Sequence, residues 1–360
     1  MCSQDTVEFF RYMKKRMTVM DERVPQPKNK KGVVLSLLKW VWLGLVVFGT
    51  YWFYKRHQIE IVNLVTKVSI FRIILSLLCL LSGKVLIVLL VQFSIQAEGW
   101  HQSFYRTIGI YGITSIGKYI PGGVWHFVGR IGIYRLKGFT PKQISRSLIL
   151  ENCWLLSSAV VIGAISVLTF RLDILQNIIN LKISPTAGAL ASGIILLLWT
   201  ISLIWLHHWM SKHTKEHVTA FWKIMVVGII LWLLIGLSFY LIFPMFEISK
   251  AAIYIGGYAL SWVVGYIAVF APGGLGVREI VLAWMFTNIA PVETIAVYAA
   301  MNRIIWLIAE LLYGLVGFMQ KDIKFSSERD DLVTGSIGSR EESALHAEEL
   351  SSEEQGQSEL

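Results

Sequence analysis

Seven long apolar runs divide the sequence, at residues 32–54, 68–97, 144–170, 187–206, 221–243, 251–271 and 294–318. Each is long enough, or nearly so, to cross about 30 Å of hydrocarbon as a helix. One water-soluble core cannot bury seven such helices at once. The chain therefore reads as an all-α integral membrane protein. Composition agrees: 55% of residues are hydrophobic and 16% charged, where a soluble domain is nearer a quarter charged.

The first 31 residues are polar and basic, and no small-residue cleavage site follows the first apolar run, so that run is expected to remain as an anchor. Cys2, Cys79 and Cys153 have no metal-ligand spacing, and a disulfide framework is not expected. The net charge of +9 hides an asymmetry: from Ser326 onward the chain is acidic, with a net of −8, leaving +17 on the rest. Basic loops against an anionic cytoplasmic leaflet account for this without nucleic acid. The expected organisation is a basic cytoplasmic segment (1–32), a membrane domain (33–320) and an acidic, disordered cytoplasmic tail (321–360).

Two apolar stretches are broken by the same tripeptide, Pro121-Gly122-Gly123 and Pro272-Gly273-Gly274. Proline removes a helical donor and clashes with the preceding turn, and paired glycines loosen the backbone further. Each stretch could be two spans, one kinked span or a re-entrant hairpin of half-helices. Charge chooses among them. Arg130, Arg135, Lys137, Lys142 and Arg146 follow the first break, and they stay cytoplasmic only if the chain enters and returns. The expected topology is about six spans plus two re-entrant hairpins, with both termini cytoplasmic. Lys55, Arg56, Lys67 and Arg72 are discordant, since they would face outside.

The pattern divides into halves at about 33–170 and 187–320, each reading span, span, hairpin, span. An odd number of crossings per half makes the halves inverted. Residue-level similarity is weak but present, as in the paired Thr140-Pro141 and Ala290-Pro291. Inverted repeats with broken helices are the architecture of secondary transporters. Half-helix ends inside a bilayer persist only where protein, water or substrate meets them, and an N-terminal end suits an anion.

Charges near the breaks are the candidate site: Lys118, Arg130, Glu151, Arg278, Glu279 and Arg303, with the glycines and prolines of both breaks. A charge at mid-bilayer costs at least about 2.5–3.5 kcal/mol. Such residues either bind substrate or pair structurally, for example Arg278 with Glu310, or Glu151 with Arg130. Lys84 lies in the second span and either snorkels or pairs. His207, His208, His213 and His217 share one stretch, but no Cys or carboxylate completes a metal set, and a solvated loop is the favoured reading. Tryptophans and tyrosines are expected mostly at membrane interfaces. No phosphate-binding Gly-rich loop and no common hydrolase motif is present, so no cofactor is expected.

The segments Lys118-Tyr119-Ile120-Pro121-Gly122-Gly123-Val124-Trp125 and Ala271-Pro272-Gly273-Gly274-Leu275-Gly276-Val277-Arg278-Glu279 resemble the two signature segments of the lysylphosphatidylglycerol synthase transmembrane (flippase-like) family. The likeness covers roughly residues 33–320. Trp125 and His126 stand where small residues are common in that family. The resemblance implies a module that moves anionic or lipid-linked substrates between leaflets. It extends the substrate list to polyprenyl-phosphate-linked lipids of cell-envelope lipid and glycan biosynthesis, in a bacterial or archaeal cytoplasmic membrane. Synthase members carry a large soluble transferase domain after the membrane part; an acidic stretch of about 40 residues follows here, so lipid aminoacylation is not implied. The expected reading is a translocator with no catalytic residues. The rivals are a membrane transferase acting on a lipid-linked sugar and a non-catalytic partner of envelope biosynthesis enzymes.

Overall fold

The computed structural model describes residues 30–119, 124–179, 183–213, 221–244, 247–268, 270–286 and 289–320. The break at Pro121, Gly122 and Gly123 and the acidic tail lie outside them. Among the described residues all regular structure is helical: α1 (Lys30–Arg56), α2 (Gln58–Thr66), α3 (Ile70–Gln96), α4 (Phe104–Ser115), α5 (Trp125–Leu136), α6 (Pro141–Phe170), α7 (Leu172–Ile179), α8 (Pro185–His213), α9 (Phe221–Tyr240), α10 (Ile248–Ile267), α11 (Val277–Met285) and α12 (Val292–Met319). Short 3-10 turns cover Ile116–Tyr119 and Pro272–Gly274.

Five of these, α3, α6, α8, α9 and α12, are long and apolar enough to cross a membrane, the make-up of a multi-pass membrane protein. The outward faces agree. Leu190 is 70% exposed, and Leu197, Ile149 and Phe71 are also bare. Such continuous apolar surface is stable against lipid and not against water.

Helix starts follow local chemistry. Thr140 accepts from the Gln143 amide, and the Gln143 side chain accepts from the Thr140 amide at 3.0 Å, a reciprocal cap just before Pro141. Ser103 caps α4 through the Arg106 amide. By contrast α4 and α5 have 12 residues each and α11 has 9. At 1.5 Å per residue they reach about 18 and 14 Å, well short of the hydrocarbon thickness. Past each 3-10 turn the next short helix packs against the one before it, α5 on α4 and α11 on α10.

The contacts pair off between the halves. The pairing α6 with α10 is answered by α12 with α4, and α3 packs on α9 at the centre. All three use glycine. A Cβ on Gly256 would overlap Ser166, one on Gly112 would overlap the Tyr313 backbone, and one on Gly83 would meet Ile235 Cγ1 at 2.7 Å. Small residues let helix backbones approach where no water drives them together. Ser76 Oγ donates to the Ser238 carbonyl at 2.6 Å across the central pair.

Three expectations change. Tyr258, Trp232, Tyr298 and Trp306 are at most 4% exposed; these aromatics fill the interior instead of marking an interface. His207, His208 and His213 end α8 and do not form a loop; His217 lies outside the described residues. Among the discordant basic residues, Arg72 donates to the Phe243 carbonyl, while Lys55 and Arg56 lie over Tyr51 and Trp52.

Candidate functional site

The second break sets the site's floor. Gly273, Gly274 and Gly276 all have positive φ, at 58°, 70° and 81°, backbone that side chains rarely adopt. At Gly274 the space is also closed: a Cβ would stand 2.9 Å from the Gly265 carbonyl oxygen. This turn puts the Gly273 and Gly274 carbonyls on one side, where Arg303 from α12 donates to both at 2.7 and 2.9 Å. The same guanidinium holds Glu279 at 2.9 Å, and the other Glu279 oxygen accepts from the Gly276 amide at 2.9 Å. One network thus ties break, half-helix and long helix together.

The amides of the turn itself are taken: the Gly274 amide donates to Ala271, the Leu275 amide to Pro272 and the Gly276 amide to Glu279. The Gly273 and Gly274 carbonyls accept from Arg303, which Glu279 also holds.

A cavity of about 250 Å³ lies between the halves, lined by Lys118, Arg130, Glu151, Gly273, Gly274, Arg278 and Arg303. Pro272 is buried behind it. Seven of the twelve sequence candidates therefore meet at one place although 185 positions separate Lys118 from Arg303. Pro121, Gly122 and Gly123 lie outside the described residues.

The cavity cations differ in their partners. Arg130, 2% exposed, is ion-paired with Glu151, and its Nε has no partner; Tyr111 lies under the guanidinium at 5.3 Å. Lys118 reaches Glu310 on α12, whose Oε1 also takes Lys84 at 2.9 Å. Arg278 is 7% exposed and no carboxylate among the described residues lies within salt-bridge reach. It donates to the Tyr258 hydroxyl at 2.5 Å and lies over the rings of Tyr258 (5.0 Å) and Trp306 (5.9 Å).

Tyr258 is the hub that sequence reading missed. Its hydroxyl accepts from Arg278 and from Trp306 Nε1 at 2.6 Å, and donates to Asn302 Oδ1 at 2.7 Å. Trp306 is shared further: Lys84 sits 4.4 Å and Lys118 5.1 Å from its ring. Three cations around one indole face is an arrangement that ring quadrupoles favour.

A second, apolar opening about 420 Å³ in volume adjoins the first through shared walls, Phe127, Asn152 and Tyr266, and reaches the outer surface at Ile149. The charged cavity thus shares walls with an apolar opening at the surface of the molecule. Among the described residues no group of three metal-ligating side chains is present. No protein-family model and no curated protein matches the sequence.

Proposed function

We propose that the chain translocates an anionic or polyprenyl-phosphate-linked lipid across a cytoplasmic membrane, as a member of the flippase-like family that its two Pro-Gly-Gly segments resemble. The observation that carries this reading is Arg278: a guanidinium buried between the halves, with no carboxylate partner among the described residues, on the wall of a cationic cavity. Removing a charge from water costs several kcal/mol unless something compensates it. Two aromatic faces and one hydroxyl compensate in part, and a phosphate group would complete the set through the planar fork of arginine.

The short α4, α5 and α11 support re-entrant hairpins, and the reciprocal packing of α6–α10 and α12–α4 supports two inverted halves meeting at the cavity. In this reading the headgroup sits among Lys118, Arg130, Arg278 and Arg303, and the acyl or prenyl chain leaves through the apolar opening at Ile149. Arg303 and Glu279 hold the break in shape. Glu151 neutralises Arg130 while the site is empty. Exchange of the two halves' packing would then pass the headgroup between leaflets without its meeting hydrocarbon. A transferase is less well supported: Glu151, Glu279 and Glu310 are each held in an ion pair, so none stands ready as an acid–base pair.

Purified protein in liposomes separates the readings. A translocator moves labelled anionic lipid between leaflets and leaves its mass unchanged. A changed lipid mass favours the transferase. Neither movement nor mass change favours a partner protein and sinks the proposal.

A further inference from the structure

The Lys84–Glu310–Lys118 cluster has a charge that nothing described so far explains. Lys84 is fully buried and Glu310 is 1% exposed. Both ammonium groups reach the same carboxylate oxygen, Oε1, and Glu310 Oε2 is buried with no partner. Two lysines on one carboxylate leave one positive charge in excess. Arg278 contributes a second. Counted with the groups bound to its walls, the cavity has five cations (Lys84, Lys118, Arg130, Arg278, Arg303) against three carboxylates (Glu151, Glu279, Glu310).

Two uncompensated charges in an interior flanked by lipid are costly. Arginine does not release its proton, whereas lysine does so readily when desolvated. The other groups facing the cluster cannot take its place: Arg278 and Arg303 stay charged, and the phenols of Tyr111, Tyr119 and Tyr313 carry no charge to lose. His126 lines the same cavity from α5 and is the remaining titratable neighbour. Of the two lysines, Lys118 lines the cavity with its side chain 28% exposed, so water can reach it, while Lys84 is sealed.

Resting on the translocator reading above, we infer that the headgroup carries two negative phosphate charges, the chemistry of a lipid-linked diphosphate, and that it enters together with one proton. At about pH 9, the pH of the calorimetry, the Lys118 amine is neutral in the empty cavity. When the dianion binds, the nitrogen lone pair takes a proton from bulk water and a new N–H bond forms. No bond in the lipid breaks. The cavity then has two excess cations facing two anionic charges. A proton gradient would thereby act on lipid movement.

The test is calorimetry of purified full-length protein in buffers of different ionisation heat, which counts protons taken up on binding. The probe is a short-chain prenyl diphosphate sugar, whose two charges do not change near neutral pH. Dioctanoyl phosphatidylglycerol, with one charge, is the comparison. The expected result is uptake of about one proton per diphosphate, binding roughly tenfold tighter than the phosphodiester, and little uptake with the latter. Lys84→Met leaves a single neutral Lys118–Glu310 pair and should abolish uptake while diphosphate still binds. Should that variant fold poorly, Lys84→Gln takes its place, with the same expected loss of uptake while diphosphate still binds. Diphosphate binding with no uptake overturns this inference and leaves the translocator reading intact. Uptake that persists in the variant assigns the proton elsewhere, first to His126, and overturns it too. Equal affinity and uptake for the two lipids refutes the two-charge headgroup. If neither lipid binds the native protein, the translocator reading itself fails.

Discussion

The two halves meet the cavity with opposite charge order. In the first, an arginine on the short helix α5, Arg130, pairs with a glutamate on the long helix α6, Glu151. In the second, a glutamate on the short helix α11, Glu279, pairs with an arginine on the long helix α12, Arg303. Burial differs as well: the side chains of the first pair are 3% and 10% exposed, those of the second 20% and 25%. The second half alone adds an arginine without a carboxylate, Arg278. The first pair is thus the more deeply sealed, and the second straps the turn at Gly273 and Gly274. Reversed order also means that the short helices present charges of opposite sign to their long neighbours, which suits a device in which one half closes as the other opens.

The comparison can be broken where the expected effect is largest. Glu151→Leu strands Arg130 in a buried site, and loss of one partner of a buried pair costs about 3–5 kcal/mol. Thermal unfolding in detergent should show a large drop, and Glu151→Leu with Arg130→Met should recover most of it. Recovery of stability without transport would mean that Arg130 also touches substrate. In the second half, Arg303→Gln removes charged hydrogen bonds to Gly273, Gly274 and Glu279, with a loss of about 1.5–3 kcal/mol. Transport should fall further than stability does, because the turn loses its strap. Equal falls would make the second pair no different from the first.

Smaller effects sharpen the account at the turn. Gly274→Ala meets the Gly265 backbone and an unfavourable φ together, whereas Gly273→Ala meets only the φ, its nearest neighbour being Arg303 Nη1 at 4.0 Å. Left-handed backbone costs a non-glycine residue about 1–2 kcal/mol, so Gly273→Ala should lose about that much and Gly274→Ala distinctly more, by the same unfolding assay. Least of all, ending the chain after Phe325 should change neither insertion nor lipid movement, because the acidic tail has no apolar face to pack. A marked fall in movement with normal insertion would turn attention to a partner protein.

Much of this was legible in the sequence. Proline followed by two glycines breaks a helix whatever surrounds it, and charges near a break inside an apolar stretch have few uses. So Lys118, Arg130, Glu151, Arg278 and Arg303 stand out in the sequence, and all five line one cavity. Their partners were less legible. Glu279 adjoins Arg278 in sequence, yet neighbours one residue apart on a helix do not face each other, and its true partner lies 24 positions on. Lys84 and Glu310 are 226 positions apart, and only the packing of α3 on α12 brings them together. Tyr258 and Trp306 were hidden for another reason. An aromatic residue in an apolar stretch carries no mark of depth, and a belt at the interface is the commoner place for it. At α11 a carboxylate three residues past the cap reaches back to it: Glu279 accepts from the Gly276 amide.

The most direct test of the central claim is lipid movement by Arg278 variants in proteoliposomes, with thermal stability measured on the same preparations. Arg278→Lys keeps the charge and loses the fork, so transport should fall partly; Arg278→Ala should nearly abolish it; both proteins should insert and unfold near the native temperature, because no carboxylate is left stranded. Normal transport by Arg278→Ala, or a collapse of stability that a paired Tyr258→Phe change relieves along with transport, would show that Arg278 serves the fold and not the substrate, and would contradict the account.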